Sequence, residues 1–127
     1  MDLNTFQFKT SFEFSERHEF FVPLRWIAIL YRQVKCSLGA STGVKSFEEV
    51  AKFILAGASG VQVASVLYQE GPDVVATILK ELEEWMNNHG IKDLNSMKGK
   101  LSFSKDAEGV ANYYMRSQFM DKILEIE

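Results

Sequence analysis

The chain contains a single cysteine, Cys36, in 127 residues. One cysteine excludes an internal disulfide framework and any cysteine-based zinc site, and it suits a reducing, cytoplasmic compartment. Histidine is nearly as scarce, with two. Neither His18 nor His89 has an acid, a nucleophile or a metal-ligand spacing beside it, so each reads as a surface or helix-end residue. Basic charge is not in excess: 14 Lys+Arg stand against 17 Asp+Glu, for a formal net charge of -3. Without a Lys/Arg cluster, no nucleic-acid partner held by phosphate neutralisation is expected. No apolar run approaches the roughly 20 residues of a membrane-spanning helix, so no membrane span is expected. The opening Met1-Asp2-Leu3-Asn4 lacks the basic and apolar regions of a signal peptide.

What is present is the mixture of a folded protein, 46% hydrophobic and 24% charged. A disordered chain would lack the apolar surface that offsets ordering entropy. One small cytoplasmic domain, or a piece of a larger one, is expected.

Residues 1–22 read as irregular to extended. Phe6 and Phe8, then Phe12 and Phe14, alternate with polar residues at the period of a half-buried strand, and Lys9-Thr10-Ser11 could turn the chain into a hairpin. Six of the ten phenylalanines precede residue 22, a stripe that the protein's own helices are expected to cover. Pro23, placed in a first turn, followed by Leu24, Trp26, Ile27, Ile29 and Leu30, predicts a mostly buried helix over 23–32. A short small and apolar run over 36–41 predicts a buried strand ending in the Thr42-Gly43 turn, with Cys36 in the core.

Ser46-Phe47-Glu48-Glu49 has the capping-box pattern, and Phe47, Val50, Ala51, Ile54 and Leu55 follow at helical spacing up to Gly57. A helix over 47–56 is predicted. The valine-rich run 61–67 predicts a second strand. A second long helix opens at Gly71-Pro72-Asp73, presents Val75, Ile78, Leu79, Leu82, Trp85 and Met86, and ends at Asn87-Asn88-His89-Gly90. Two short strands joined by a ten-residue helix must run parallel, since an antiparallel pair needs only a hairpin. Residues 91–108 read as a loop with a helical turn near Leu94–Met97, and 109–125 as a further helix.

In a parallel pair both carboxyl ends lie side by side. Here they carry Gly39-Ala40-Ser41-Thr42-Gly43-Val44 and Val63-Ala64-Ser65. Small residues at such tips let an anion approach backbone N–H groups, and the last two loops of (β/α)₈ barrels commonly form a phosphate site in this way. Glycine turns of this kind also serve packing alone, so residue type leaves both readings open. No complete catalytic set accompanies the tips: Ser41, Thr42 and Ser65 lack a partnering base. Glu81, Glu83 and Glu84 read as a solvated helix face, and Trp26, Trp85, Phe47 and Phe53 as core.

Several segments together resemble the C-terminal part of dihydroorotate dehydrogenase-like flavoproteins. They are Phe21-Val22-Pro23-Leu24-Arg25-Trp26-Ile27-Ala28, the run from Gly39 to Val44, the run from Ile54 to Ser65, Gly71-Pro72, Glu83 to Gly90, and Met97-Lys98-Gly99. The most specific is the helix ending Ala56-Gly57-Ala58 followed by Val61-Gln62-Val63 and a pair of small residues. The resemblance implies an α/β fold, the C-terminal portion of a (β/α)₈ barrel, with 36–41 as the seventh strand and 61–67 as the eighth. It implies FMN as cofactor, its phosphate held by backbone N–H groups of Ser41, Thr42 and Gly43 and of Ala64 and Ser65. It also implies oxidation of dihydroorotate to orotate with hydride transfer to the flavin. Thr42 and Ala64 stand where the family usually has glycine, which is tolerable where φ stays negative.

By the same resemblance, the proton-abstracting base, the flavin-side lysine and the substrate asparagines lie on earlier strands, so no catalytic residue is assigned in this chain. A barrel of this type needs roughly 250 residues. The expectation is therefore one incomplete barrel unit over 1–127: an extended or hairpin segment 1–22, βα units 23–89 and a C-terminal extension 90–127. Half a barrel exposes two strand edges and an apolar interior, at a cost of roughly 25 cal/mol per Å². Completion by the missing half, or self-association into a homo-oligomer, is expected. The alternative is a truncated, non-catalytic phosphate-binding or assembly module. Substrate choice and electron acceptor are expected to reside outside these residues.

Overall fold

A computed structural model describes residues 4–8 and 13–103. The order of elements is a 3₁₀ turn Arg17–Phe20, α1 Phe21–Leu30, β1 Gly39–Ala40, α2 Phe47–Ala56, β2 Gly60–Val61, α3 Ser65–Glu70, α4 Val74–Asn88 and α5 Leu94–Met97. The two strands pair in parallel, Gly39 opposite Gly60 and Ala40 opposite Val61. The ladder extends one bond beyond each end, through Ser59 N–H to the Leu38 carbonyl (2.7 Å) and Gln62 N–H to the Ala40 carbonyl (2.8 Å). The observed class is α/β, with α2 as the connection that makes the pair parallel.

Helix α2 has the predicted limits, and both of its ends are fixed by local chemistry. At the start, the Ser46 hydroxyl accepts from Glu48 N–H (3.3 Å) and Glu49 Oε2 accepts from Ser46 N–H (2.9 Å). At the end, Gly57 takes φ 124 while its N–H reaches the Phe53 and Ile54 carbonyls. Apart from the φ, a methyl at Gly57 would overlap the Tyr31 ring, which lies against it. Helix α1 starts two residues before the predicted limit, because the 3₁₀ turn feeds directly into it. Pro23 then sits in the first turn, where no N–H is needed.

The core lies between α1, α2 and α4. Phe53 and Met97 are fully buried, with Ile27, Ala28, Ala51, Ile54, Ala58 and Leu82 around them. The Phe20 ring meets Phe53 edge-on at 4.8 Å between centroids. Val74, Ile78 and Leu82 form the buried stripe of α4, while Glu81, Glu83 and Glu84 face water as expected. Downstream of α5, residues 99–103 lie across the helices: Gly99 N–H bonds to the Ile54 carbonyl, Leu101 N–H to that of Leu55, and Phe103 N–H to that of Ala28.

Several expectations are corrected. The strand foreseen over 36–41 is reduced to Gly39–Ala40, because the chain bends at Lys35-Cys36 and joins the ladder only at Leu38; Cys36 is exposed. The strand foreseen over 61–67 is Gly60–Val61, after which the chain turns into α3. Val63, Val66 and Leu67 stand at helical i, i+3, i+4 spacing as well as being β-branched or aliphatic. Val66 uses that spacing to bury itself completely beside Val74 and Ile78. Trp26 is 56% exposed, not core, and Phe6 and Phe8 are 88% and 86% exposed, so the helices do not cover them. The Lys9-Thr10-Ser11 hairpin turn, Phe12 and the helix foreseen over 109–125 lie outside the described residues.

Candidate functional site

Because β1 and β2 are adjacent and parallel, the loops that follow them emerge on the same side. The loop after β1 reverses between Ser41 and Val44 with two consecutive residues at positive φ, Thr42 at 83° and Gly43 at 70°. Gly43 is buried, and a Cβ there would lie 2.7 Å from Phe20 N and 2.9 Å from Phe20 Cβ. The loop after β2 runs Gln62–Ala64 into α3, with Ala64 at φ −138°. Ser41, Thr42, Gly43, Ala64 and Ser65, the five residues assigned from the sequence, all border one cavity of about 240 Å³.

The condition under which both glycine replacements are tolerable, negative φ, is met at Ala64 and not at Thr42. The reason is the turn itself: reversing the chain directly after Ala40, so that Val44 can enter the core at 3% exposure, requires left-handed backbone at both central positions. A β-branched residue in that region is strained by about 1–2 kcal/mol.

A third segment reaches the cavity that sequence reasoning left out. Glu13 and Ser15 border it from the N-terminal side. The Ser15 hydroxyl oxygen accepts from Gly43 N–H (3.3 Å) and lies 2.9 Å from the Ser65 hydroxyl, which itself accepts from Ser15 N–H (3.0 Å). One serine thus touches both strand tips. No periodicity or spacing marks Ser15 in the sequence; only the fold brings it across 50 residues to Ser65.

This segment is anchored by an ion pair. Arg17 Nε donates to Glu49 Oε1 at 2.7 Å, and Arg17 Nη2 reaches Glu48 Oε2 at 3.2 Å. Glu49 is 2% exposed. Burial on its own pushes its carboxyl up. The hydrogen bonds from Arg17 and Ser46 act the other way and prevail, holding Glu49 below the usual carboxylate range. The same contact with Glu49 raises the Arg17 guanidinium. The capping-box pattern identified Glu49, but only as a helix cap; its long-range partner was not visible.

Chemically, the cavity offers main-chain N–H groups, the side chains of Ser15, Ser41, Thr42 and Ser65, each with a hydroxyl, and the carboxylate of Glu13. Among the described residues no lysine or arginine borders it. The histidines lie elsewhere on the surface, His89 with Nδ1 2.8 Å from the Trp85 carbonyl. Among the described residues no group of His, Cys, Asp and Glu could hold a metal ion, and no helix is long and apolar enough to cross a membrane.

The chain matches the family profile "Dihydroorotate dehydrogenase" over residues 22–86. Dihydroorotate dehydrogenase (fumarate) of Trypanosoma brucei brucei is 49% identical over 59 residues, covering 46% of this chain and 19% of that protein. The catalytic subunit of dihydroorotate dehydrogenase B (NAD(+)) of Methanothermobacter thermautotrophicus is 32% identical over 78 residues, covering 61% of this chain and 26% of that protein. The crystal structure of ligand-free dihydroorotate dehydrogenase from Eimeria tenella superposes with a TM-score of 0.63 at 26% identity, covering 68% of this chain and 24% of that one. The chain therefore spans about a fifth to a quarter of the length of these relatives.

Proposed function

The chain belongs to the dihydroorotate dehydrogenase family, and we propose that its 127 residues form the C-terminal, FMN-phosphate-binding portion of such a (β/α)₈ oxidoreductase, with β1 and β2 as strands seven and eight. The observation that carries this reading is the convergence of Thr42-Gly43 and Ala64-Ser65 on one cavity at the carboxyl ends of adjacent parallel strands. That is where barrels of this class bind phosphate.

The residues fit the phosphate end of the cofactor. The Gly43 N–H already points at an oxygen inside the cavity, that of Ser15, so its direction suits an acceptor there. A side chain at Gly43 would drive the turn away from Phe20, so the close backbone approach depends on glycine. With no cationic side chain on the lining among the described residues, the charge would be met by main-chain dipoles and by the hydroxyls of Ser41 and Ser65. When bound, FMN would supply the acceptor for the hydride of dihydroorotate. Residues on the other strands of the barrel would place that substrate, so these 127 residues alone are not expected to turn it over. The cytoplasm, completion by the remaining barrel strands and self-association into a homo-oligomer belong to the same proposal. The exposure of Phe6 and Phe8 supports self-association.

Titration with FMN and with riboflavin separates phosphate recognition from stacking of the flavin ring. The expectation is saturable FMN binding, little riboflavin binding, and a loss of tenfold or more in Ser41→Asp, which adds negative charge at an exposed cradle position. Equal binding of both flavins, or of both proteins to FMN, would refute it. A second reading, a non-catalytic phosphate-binding or assembly module, is favoured by the absence, among the described residues, of a base other than Glu13 on the lining. Binding of inorganic phosphate without any preference for FMN would select it.

A further inference from the structure

We propose that the Ser15 hydroxyl is a built-in competitor for the anion position of this cradle, so that a phosphate group enters only when the Glu13–Ser15 segment moves aside. The inference rests on the phosphate-binding reading above and adds to it a means of regulation. An anion seated between the two strand tips must accept from the Gly43 N–H, and that N–H is engaged by Ser15 Oγ at 3.3 Å. Ser15 also closes the other side. Its oxygen is 2.9 Å from the Ser65 hydroxyl, and its own N–H donates to the same hydroxyl at 3.0 Å. The segment therefore spans the position where the two loops would otherwise meet a ligand.

The contacts are of a kind that can be exchanged. All three involve neutral groups, and the one to Gly43 is at the long end of the hydrogen-bond range. A phosphate makes shorter, charge-assisted bonds to the same donors and can displace a hydroxyl. Glu13 stands on the same wall and repels an incoming dianion, so the segment opposes the ligand by charge as well as by occupation.

The segment has a fixed end from which to swing. Immediately after Ser15, Glu16 is extended (φ −85°, ψ 154°) and caps the 3₁₀ turn. Arg17 is tied to Glu49 and Glu48 at the start of α2. Displacement of Ser15 about Glu16 can thus leave the Arg17 ion pair in place, at the cost of the Glu16 N–H bond to Glu19 Oε2 and of the Phe14–Tyr68 ring contact at 6.0 Å.

The test compares the wild-type chain with Ser15→Ala and Ser15→Thr, using inorganic phosphate and FMN as probes and amide hydrogen exchange at Gly43 in the ligand-free proteins. Ser15→Ala is expected to exchange faster at Gly43 and to bind both probes about five- to tenfold more tightly, because a competing state has been removed. Ser15→Thr retains the hydroxyl and is expected to behave as the wild type; amide spectra of all three proteins establish that they are folded. Unchanged Gly43 exchange in Ser15→Ala, or unchanged or weaker binding, overturns the competitor while leaving the phosphate site standing. If none of the three proteins binds either probe, the phosphate-binding reading falls and takes the competitor with it.

Discussion

Arg17 Nε lies 2.7 Å from Glu49 Oε1, joining the turn before α1 to the first turn of α2 across 32 positions of sequence. The carboxylate is 2% exposed and accepts in addition from the Ser46 N–H and hydroxyl at 2.9 Å each. One buried side chain thereby caps a helix and fixes the N-terminal segment that reaches the cradle.

Acid should therefore destabilise the fold through this residue. The Glu49 carboxyl is held below its unfolded value, so its contribution is complete above the unfolded value near pH 4.3 and is lost as pH falls through the lower folded value. Glu49→Gln is expected to lower stability by about 2 kcal/mol at pH 7 and to flatten the acid limb of the stability profile. Urea unfolding at a series of pH values checks both. A wild-type profile with no acid limb would contradict the assignment.

Thr42 holds left-handed backbone that glycine adopts freely. Thr42→Gly is expected to gain about 0.5–1 kcal/mol, the strain relieved being partly offset by the larger unfolded-state entropy of glycine. The measurement is the urea midpoint at constant m. Thr42→Ala keeps the strain and should leave the midpoint nearly unchanged.

At Gly57, φ 124 coincides with contact against the Tyr31 ring. Gly57→Ala combines an unfavourable backbone with overpacking, and a loss of about 3 kcal/mol or more in thermal or urea unfolding is expected. Gly39→Ala is the control: nothing lies within 4 Å of a Cβ there and its φ is ordinary.

Phe6 and Phe8 present two large apolar side chains to solvent, and the two-stranded sheet has an open edge on either side among the described residues. Light scattering is expected to show mass rising with concentration, and Phe6→Ser with Phe8→Ser to shift the population toward the monomer. A monodisperse wild-type monomer would count against self-association.

The sequence showed the α2 helix to the residue because three independent signals agreed there: the Ser46–Glu49 box, the apolar period and Gly57. The parallel pairing of the strands followed from element order alone, as did the location of their tips. Strand length did not, since two residues of ladder leave no period to detect. Val61–Leu67 satisfied strand composition and helical spacing at once, and burial of Val66 beside α4 decided for the helix. The left-handed Thr42 and the approach of Ser15 are consequences of tertiary closure. Nothing local distinguishes those residues from any other threonine or serine.

The run from Gly99 to Phe103 hangs three of its amides on carbonyls of α1 and α2, those of Ala28, Ile54 and Leu55. It works as a clasp on the helical pair, and its first residue lies against the Tyr31 ring, as Gly57 does. Shortening the protein to Met97 would remove all three of these bonds and leave α1 and α2 held by their buried side chains alone. A piece that keeps all three ties consequently ends no earlier than Phe103.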